Sequence, residues 1–356
     1  KKRQGLPEDY VYDVAVDPKN PKVLYTAMHK KGVYKSVDGA ATWTSVNNNI
    51  HYRDARSIAI NPKDSAIYVG MYDGKGVAYS TNGGASWSPI ASSVTQALYV
   101  YRLQLDPHNQ GSLYLNTPDG LFRCKGDPFP ASQSSCERLA HDDRYVFALA
   151  LDPGSTSTAG DIQTFYTGLQ TYGLFKSKDG GKSFAASYTG LKSNVILSVL
   201  NDPASPATLY ASVLGRGVFK SVDSGGNWLA IRDGLPSINV NTLVFRPGKS
   251  NVLYDGTERD GIFVTANGGQ TWSATNGGIA SSREVVAVEA DHTEVIDFNH
   301  PSYAWMDPVD VEALRVPMNE EKALSIRASY PEILTIQLNP SDTSKMFAGT
   351  AGVGVL

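Results

Sequence analysis

Cysteine is nearly absent from this chain, and what is missing narrows its chemistry early. Cys124 and Cys136 are the only two thiols among 356 residues. No Cys-x-x-Cys pair or His-x-x-x-His spacing occurs, and the six histidines are scattered, so no metal site is expected. No apolar run of about 18 residues exists, which excludes a helical membrane span. A net charge of −3 gives no basic excess for nucleic acid or for an anionic membrane. There is no Gly-x-Gly-x-x-Gly after a strand, no phosphate-binding loop and no Gly-x-Ser-x-Gly elbow, so no cofactor is expected. No leader is visible, because Lys1-Lys2-Arg3-Gln4 runs straight into repeat sequence, although a trimmed N-terminus would look the same.

What is abundant is turn chemistry: 33 glycines and 19 prolines. One stretch organises the rest. From Gly215 to Trp228, Val218-Phe219-Lys220 alternates like a strand, and Asp223-Ser224-Gly225-Gly226 reads as a turn. Asp223 can fold its carboxylate onto N–H groups of its own turn, a glycine takes positive φ freely, and Trp228 anchors the returning strand. The pattern is Ser-x-Asp-x-Gly-x-(Thr/Ser/Asn)-Trp.

It recurs at Ser36/Asp38/Trp43, Ser80/Asn82/Trp87, Ser177/Asp179/Phe184, Ser221/Asp223/Trp228 and Thr265/Asn267/Trp272. Three of the intervals between copies are 44 residues. Ala40 stands at the usual glycine of the first copy. An apolar run followed by Asp/Asn/Arg-Pro keeps the same beat at Pro18, Pro62, Pro107, Pro153, Pro203, Pro247 and Pro340. Periods of about 40–50 residues mean propellers, solenoids or arrays. Each copy reads as four strands, so the expectation is an all-β chain forming one β-propeller. Eight blades account for nearly the whole length; seven with an insertion near 291–330 is the rival.

The expected repeats are 13–56, 57–101, 102–147, 148–197, 198–241, 242–285, a degenerate 286–334, and 335–356 together with 1–7. Lys1 to Pro7 matches Ile231 to Pro236, and Gly352 to Leu356 matches a third strand, so the termini are expected to share the closing blade. In the third copy Cys124 takes the serine position and Cys136 falls near the tryptophan position. A disulfide between facing strands is expected, with two buried free thiols as the alternative; if formed, it implies an oxidising compartment.

These hairpins resemble the Asp-box (bacterial neuraminidase repeat) families. Those include sialidases, xyloglucanase-type glycoside hydrolases, sortilin-type receptors and photosystem II stability/assembly factor proteins. The unbroken Gly-Val-(Tyr/Phe)-Lys-Ser-x-Asp style looks most like the assembly-factor group and related secreted bacterial repeat proteins. The resemblance implies a propeller and a protein-binding platform in a periplasmic or secreted complex; the box itself is a turn staple shared by enzymes and binders.

Loops between blades and loops between middle strands share one face of such a ring. That face gathers Arg and Tyr here, and the expected partner-binding residues are Tyr52, Arg53, Arg56, Tyr101, Arg102, Arg144, Arg216 and Arg259. A solvated surface with local Arg–Asp pairs is the bland counterpart. A glycosidase needs two carboxylates about 5–10 Å apart. Asp54, Asp142, Asp143, Asp260 and Glu284 lie in loops on that face, with nothing selecting a pair. No Arg-Ile-Pro occurs, as a sialidase wants, and xyloglucanase-type enzymes use two propellers where this chain supplies one. Non-catalytic binding of a protein is therefore the expectation, with glycan-directed hydrolysis as the alternative.

Overall fold

The computed structural model describes residues 4–50, 53–90, 98–108, 112–126, 135–158, 160–236, 239–277, 279, 282–289, 322–329, 331–351 and 354–356; of 282–289 and 322–329 only the backbone is described. Among the described residues every regular element is a strand. The first blade comprises β1 (Val11–Val16), β2 (Leu24–Met28), β3 (Gly32–Ser36) and β4 (Thr44–Ser45). The second comprises β5 (Ala55–Ile60), β6 (Ile67–Met71), β7 (Val77–Ser80) and β8 (Ser88–Pro89). The third comprises β9 (Arg102–Leu105), β10 (Ser112–Thr117), β11 (Gly120–Lys125) and β12 (Ser135–Ala140). The fourth comprises β13 (Val146–Leu151), β14 (Phe165–Leu169), β15 (Gly173–Ser177) and β16 (Ala185–Ala186). The fifth comprises β17 (Ile196–Asn201), β18 (Leu209–Val213), β19 (Gly217–Ser221) and β20 (Leu229–Ala230). The sixth comprises β21 (Val240–Arg246), β22 (Lys249–Thr257), β23 (Ile262–Thr265) and β24 (Ser273–Ala274). Each is an antiparallel meander with its strands in sequence order.

Beyond them, β25 (Ser282–Glu289) and β26 (Lys322–Ser329) form a two-stranded sheet, and β27 (Ile333–Leu338), β28 (Met346–Thr350) and β29 (Gly354–Val355) form a three-stranded one. Innermost strands follow one another around the ring: β1 lies against β5, β5 against β9, β13 against β17, and β17 against β21. β27 touches both β21 and β1. The described residues thus build six complete four-stranded blades in a propeller. The expected count of eight is not met among them, because β27 already lies against both the sixth blade and the first, while β25 and β26 pair with each other.

In blades one, two, four and five the second strand is buried on both faces, since the sheet is covered by a neighbour on either side. Leu24–Met28, Ile67–Met71, Phe165–Leu169 and Leu209–Val213 are buried throughout. The core therefore consists of slabs between blades. One holds Tyr25, Ala27 and Val33 of the first blade against Ile58, Val69 and Trp87 of the second. Another holds Leu6, Val11 and Leu24 against Phe347 and Val355, so the two chain ends meet in one slab.

The five Ser-x-Asp turns close by one hydrogen-bond set. Ser221 Oγ donates to Asp223 Oδ1 at 2.7 Å and accepts the Gly225 N–H at 2.9 Å. Asp223 also accepts the Asn227 N–H, at 2.8 Å. In the second copy Asn82 substitutes directly: its Oδ1 takes the serine hydroxyl and the Ser86 N–H, and its Nδ2 donates to Ser86 Oγ. Ala40 keeps the turn by adopting the left-handed φ of 70° that glycine holds in the other copies. The tryptophan N–H then reaches the previous blade. Trp87 Nε1 donates to Val46 O, Trp228 to Ser187 O and Trp272 to Ile231 O, each 41 residues back.

The match between the N-terminus and Asp233-Gly234-Leu235 is backbone geometry. The Trp43 N–H donates to Gln4 O, as Trp228 does to Thr189 O and Trp272 to Asp233 O. The glycine that follows each acceptor, Gly5, Gly190 or Gly234, has positive φ and lies so close to the tryptophan carbonyl that a Cβ has no room.

The third blade replaces turn and tryptophan together. Cys124 and Cys136 are cross-strand partners on β11 and β12 and are bonded as a disulfide, with Cα atoms 4.0 Å apart.

Candidate functional site

Backbone hydrogen bonds put the interblade and middle-strand loops on one face. His29 N–H donates to Tyr10 O, Tyr72 N–H to Asp54 O and Gln170 N–H to Tyr145 O, so each middle loop is tied to the entry of its own blade. Gly32 N–H donates to Arg53 O and Gly173 N–H to Asn194 O, which ties it to the entry of the next.

A β-bulge near the start of six inner strands shapes that face. The ladders skip one residue between Val11/Asp13, Ala55/Ser57, Val146/Ala148, Ile196/Ser198, Val240/Thr242 and Ile333/Thr335. The unpaired residue is Tyr12, Arg56, Phe147, Leu197, Asn241 or Leu334, one per blade. A bulge re-aims its side chain, and proteins keep bulges beside functional sites.

In blades one to four these residues meet in a continuous aromatic ridge. The Arg56 guanidinium stacks 3.9 Å from the Tyr12 ring centre and 4.5 Å from that of Tyr72. Its Nε lies 3.6 Å from Asp54 Oδ1. Tyr72 packs edge-on against Tyr99 at 5.6 Å and against Tyr101 at 6.4 Å. Tyr101 lies 5.2 Å from Phe147, which touches Tyr145 at 6.1 Å. At the far end Arg144 stacks 4.2 Å over Tyr172. On the other side Tyr12 meets Tyr10 and His29, and His29 Nδ1 lies 3.1 Å from Asp9 Oδ1. Burial pushes the Tyr12 and Tyr72 hydroxyls above the usual phenol range, so both stay neutral. Burial also raises the Asp73 carboxyl, and the Asp54 charge adds to the shift.

Around the sixth blade and β27 the face has a different character. Glu258, Asp260 and Glu332 are buried there. Asn239 Nδ2 donates to Glu258 Oε2 at 2.8 Å, and Asn241 Nδ2 to Glu332 Oε1 at 3.1 Å. Behind them Asp255 is fully buried, and burial holds its carboxyl well above the usual range.

Of the residues expected from sequence, Arg56 and Tyr101 enter the ridge. Arg144 stacks on Tyr172 of the fourth blade. Arg53 is exposed at the rim. Arg102 is half-buried, and its charge acts on the Asp13 carboxyl inside the ring. Arg216 and Arg259 belong to the fifth and sixth blades across the ring, where Arg259 Nε lies 3.6 Å from Glu258 Oε1. Tyr52 lies outside the described residues. Among the glycosidase carboxylates, Asp142 and Asp143 are exposed, and Asp142 pairs with Arg138 at 3.1 Å. Asp54 is engaged with Arg56, Asp260 is buried, and the Glu284 side chain is not described. No group of three metal-capable side chains occurs among the described residues.

Sequence reasoning places the Tyr72-Asp73 loop on this face but missed Tyr12 and Phe147. Their signal is weak: Tyr12 and Phe147 are apolar-strand residues until a bulge turns them. It also missed an interblade clamp. Tyr25 Oη and Lys35 Nζ both donate to Gly83 O of the next blade's turn, at 3.2 and 3.0 Å. Tyr166 with Lys176 does the same to Ser224 O, and Tyr210 with Lys220 to Gly268 O. The repeated Lys one residue before the turn serine carried that information.

No family model matches the chain, and no curated protein sequence matches it. Solved structures do. The GH74 enzyme of Niastella koreensis superposes with a TM-score of 0.67 at 17% identity, over 99% of this chain and 52% of that one. The GH74 xyloglucanase of Xanthomonas campestris gives 0.65 at 19% identity, over 98% and 51%. YCF48 bound to a D1 peptide gives 0.61 at 14% identity, over 98% of this chain and 92% of that one. The chain spans about half the length of the two GH74 structures. At these identities the likeness establishes the propeller fold alone.

Proposed function

We propose that this chain is a non-catalytic binding propeller of the Asp-box type, working in a secreted or periplasmic complex, and that its ligand is a protein partner held on the Arg/Tyr face. The observation that supports this best is the ridge itself. Arg56, fixed between Tyr12 and Tyr72, and the adjoining Tyr99, Tyr101 and Arg144 form a rigid surface of the residue types that dominate binding hot spots. Aromatic rings locked by one another lose little conformational entropy on binding. The likeness in shape to YCF48, solved with a peptide bound, is consistent with this role. The Cys124–Cys136 disulfide fits an oxidising compartment. We infer also that the ring holds seven blades, with 282–329 an insertion, since β27 touches both β21 and β1.

A pull-down from native extract tests the reading. A double Arg56→Ala, Tyr101→Ala variant should lose the partner that the parent captures; undiminished capture by that variant would refute the face. A second reading, one half of a two-propeller glycoside hydrolase, draws on the half-length match to the GH74 structures and on the neighbouring carboxylates Asp54 and Asp73. A broad glycan panel checks it: turnover abolished by Asp54→Asn or Asp73→Asn would displace the binding role.

A further inference from the structure

What a ligand can touch on the ridge differs from what the ridge contains. Asp54 Oδ1, Arg56 Nε and Asp73 Oδ1 are buried, and they make no hydrogen bond among the described residues. Phe147 is buried as well. The rings that solvent reaches are tyrosines: Tyr99 is 46% exposed, Tyr172 49% and Tyr188 41%. Each is fixed from one side on this face. Tyr99 packs edge-on against Tyr72 and lies over Gly74, where a Cβ comes within 3.4 Å of the ring. Tyr188 lies over Gly173 in the same way, at 3.0 Å, and packs edge-on against Phe175 at 6.0 Å. Arg144 stacks over Tyr172. Tyr72, which holds Tyr99, is itself hydrogen-bonded to Tyr145.

This accessible surface has a definite chemistry. It presents flat apolar faces together with phenol hydroxyls that donate. The exposed charges near it, Arg53, Lys75, Asp142 and Asp143, are of both signs, and the Arg56 charge is answered by Asp54. Neither an acidic nor a basic ligand is favoured. The ligand that fits is uncharged, lays C–H surface on the rings, brings acceptors to the hydroxyls and needs few acceptors itself. A proline-rich segment in the polyproline II conformation meets each requirement. Proline has an apolar ring and no N–H, and the carbonyls of that helix are not bonded internally. Such segments dock on aromatic-lined surfaces because the helix is ordered before it binds. The rings here are ordered too, so little conformational freedom is lost on either side. A sugar hydroxyl also needs an acceptor for its proton, and the two carboxylate oxygens beside Arg56 are out of reach.

We propose that Tyr99, Tyr172 and Tyr188 form a docking surface for a proline-rich, uncharged segment of the partner protein. The proposal rests on the reading that the ridge is the binding face, and it names the chemistry of what that face holds. Calorimetric titration of the folded chain with octaproline, a glycine–serine octapeptide, a glycine–glutamate octapeptide and cellotetraose tests it. Octaproline should bind about tenfold or more tightly than each of the other three. Tyr99→Ala and Tyr172→Ala should each weaken it about tenfold while leaving the melting temperature unchanged, since both rings are half exposed. Tyr99→Phe, which keeps the ring and removes the donor, should weaken it only about threefold. Equal or tighter binding of either other peptide or of cellotetraose overturns the proposal, as does octaproline binding that neither alanine variant changes. If octaproline does not bind at millimolar concentration but partner capture is lost with Tyr99→Ala, the proline-rich ligand fails and the binding face stands. If capture also survives Tyr99→Ala combined with Tyr172→Ala, both fail.

Discussion

The fifth and third blades solve one problem with different chemistry. Each must hold an outer strand that has only one neighbour in its own sheet, two residues long in the fifth and six in the third. In the fifth, Trp228 is 2% exposed in the slab between blades four and five, and its indole N–H is tied to Ser187 O. The turn above it is stapled by Ser221 and Asp223, and Lys176 and Tyr166 of the fourth blade grip its carbonyl. The third blade has neither tryptophan nor staple; one covalent bond between β11 and β12 stands in their place. The fifth blade's anchors bind it to its neighbour, whereas the disulfide closes only its own hairpin. The third blade meets its neighbours without that indole and lysine clamp, and Lys125 Nζ reaches Asp161 Oδ2 of the fourth blade at 2.7 Å instead. The second blade agrees: cross-strand from Tyr68 it carries Tyr79, where the first carries Lys35 opposite Tyr25. The third copy lacks the Ser-x-Asp turn sequence whose carbonyl such a lysine grips elsewhere.

The largest effect should come from the indole. Trp228→Ala leaves a cavity between two blades and an unpaired Ser187 carbonyl, and should cost about 3–5 kcal/mol of unfolding free energy. Chemical denaturation with near-ultraviolet detection measures it. A loss below 1 kcal/mol would mean that the tryptophans decorate blades held together by something else.

Next is the disulfide. Its closed loop is short, with a sequence separation of 12. Cys136→Ser with Cys124→Ser should cost about 3 kcal/mol, by loss of the constraint on the unfolded chain. Hydrogen exchange should locate the opening at β11 and β12 and leave β19 and β20 unchanged. Equal loosening in the fifth blade would erase the contrast between the two regions.

The interblade clamp should matter less. Lys220→Met keeps the apolar stem over Tyr210 and removes one charged donor to Gly268 O, for about 1–2 kcal/mol. Tyr79→Lys, on a blade whose successor offers no such turn, should bring no gain. Stabilisation by that change would show that the lysine works through its own strand rather than through the next blade.

The ease of reading such a chain varies with the range of the interaction. The four-stranded meander, the turn staple and the match of Gln4-Gly5-Leu6 to Asp233-Gly234-Leu235 were legible because each is local and periodic. Cys124 facing Cys136 was legible from hairpin register. Blade number was not, because it depends on where β27 docks, and residues 282–329 lack the turn that marks a repeat. The ridge was half legible: Tyr101 stands between blades and Arg56 near the start of β5, where an aromatic or arginine is conspicuous. Tyr12 and Phe147 sit within apolar strands, and only the bulge turns them toward the mouth. The unmet atoms of Asp54 and Asp73 depend on three-dimensional neighbours and leave no pattern in the sequence.

Acid should separate the two regions by pH, with the smallest effect of all. Between the third and fourth blades His141 packs 4.6 Å from Phe184, the residue that replaces a tryptophan, and its Nε2 lies 2.8 Å from Thr167 Oγ1. Burial lowers its pKa to about 4 from an ordinary 6.5. The unfolded chain therefore binds this proton more tightly, so the contribution of His141 is present above pH 6.5 and is lost as the pH falls from 6.5 toward 4. The turn aspartates act lower. Hydrogen bonds from Thr42, Ser183 and Asn227 hold Asp38, Asp179 and Asp223 at about 2, so their contribution is present above the ordinary 3.8 and is lost as the pH falls from there toward 2. The copies carrying Asn82 and Asn267 have no such proton to gain. Melting temperature followed from pH 7 to pH 2 should fall in two stages. His141→Gln should flatten the first stage alone, and Asp223→Asn, which reproduces the Asn82 turn, should reduce the second alone. A single stage abolished by either variant would mean that the ring unfolds as one unit with one titrating trigger, and the difference between its third and fifth blades would carry no energetic weight.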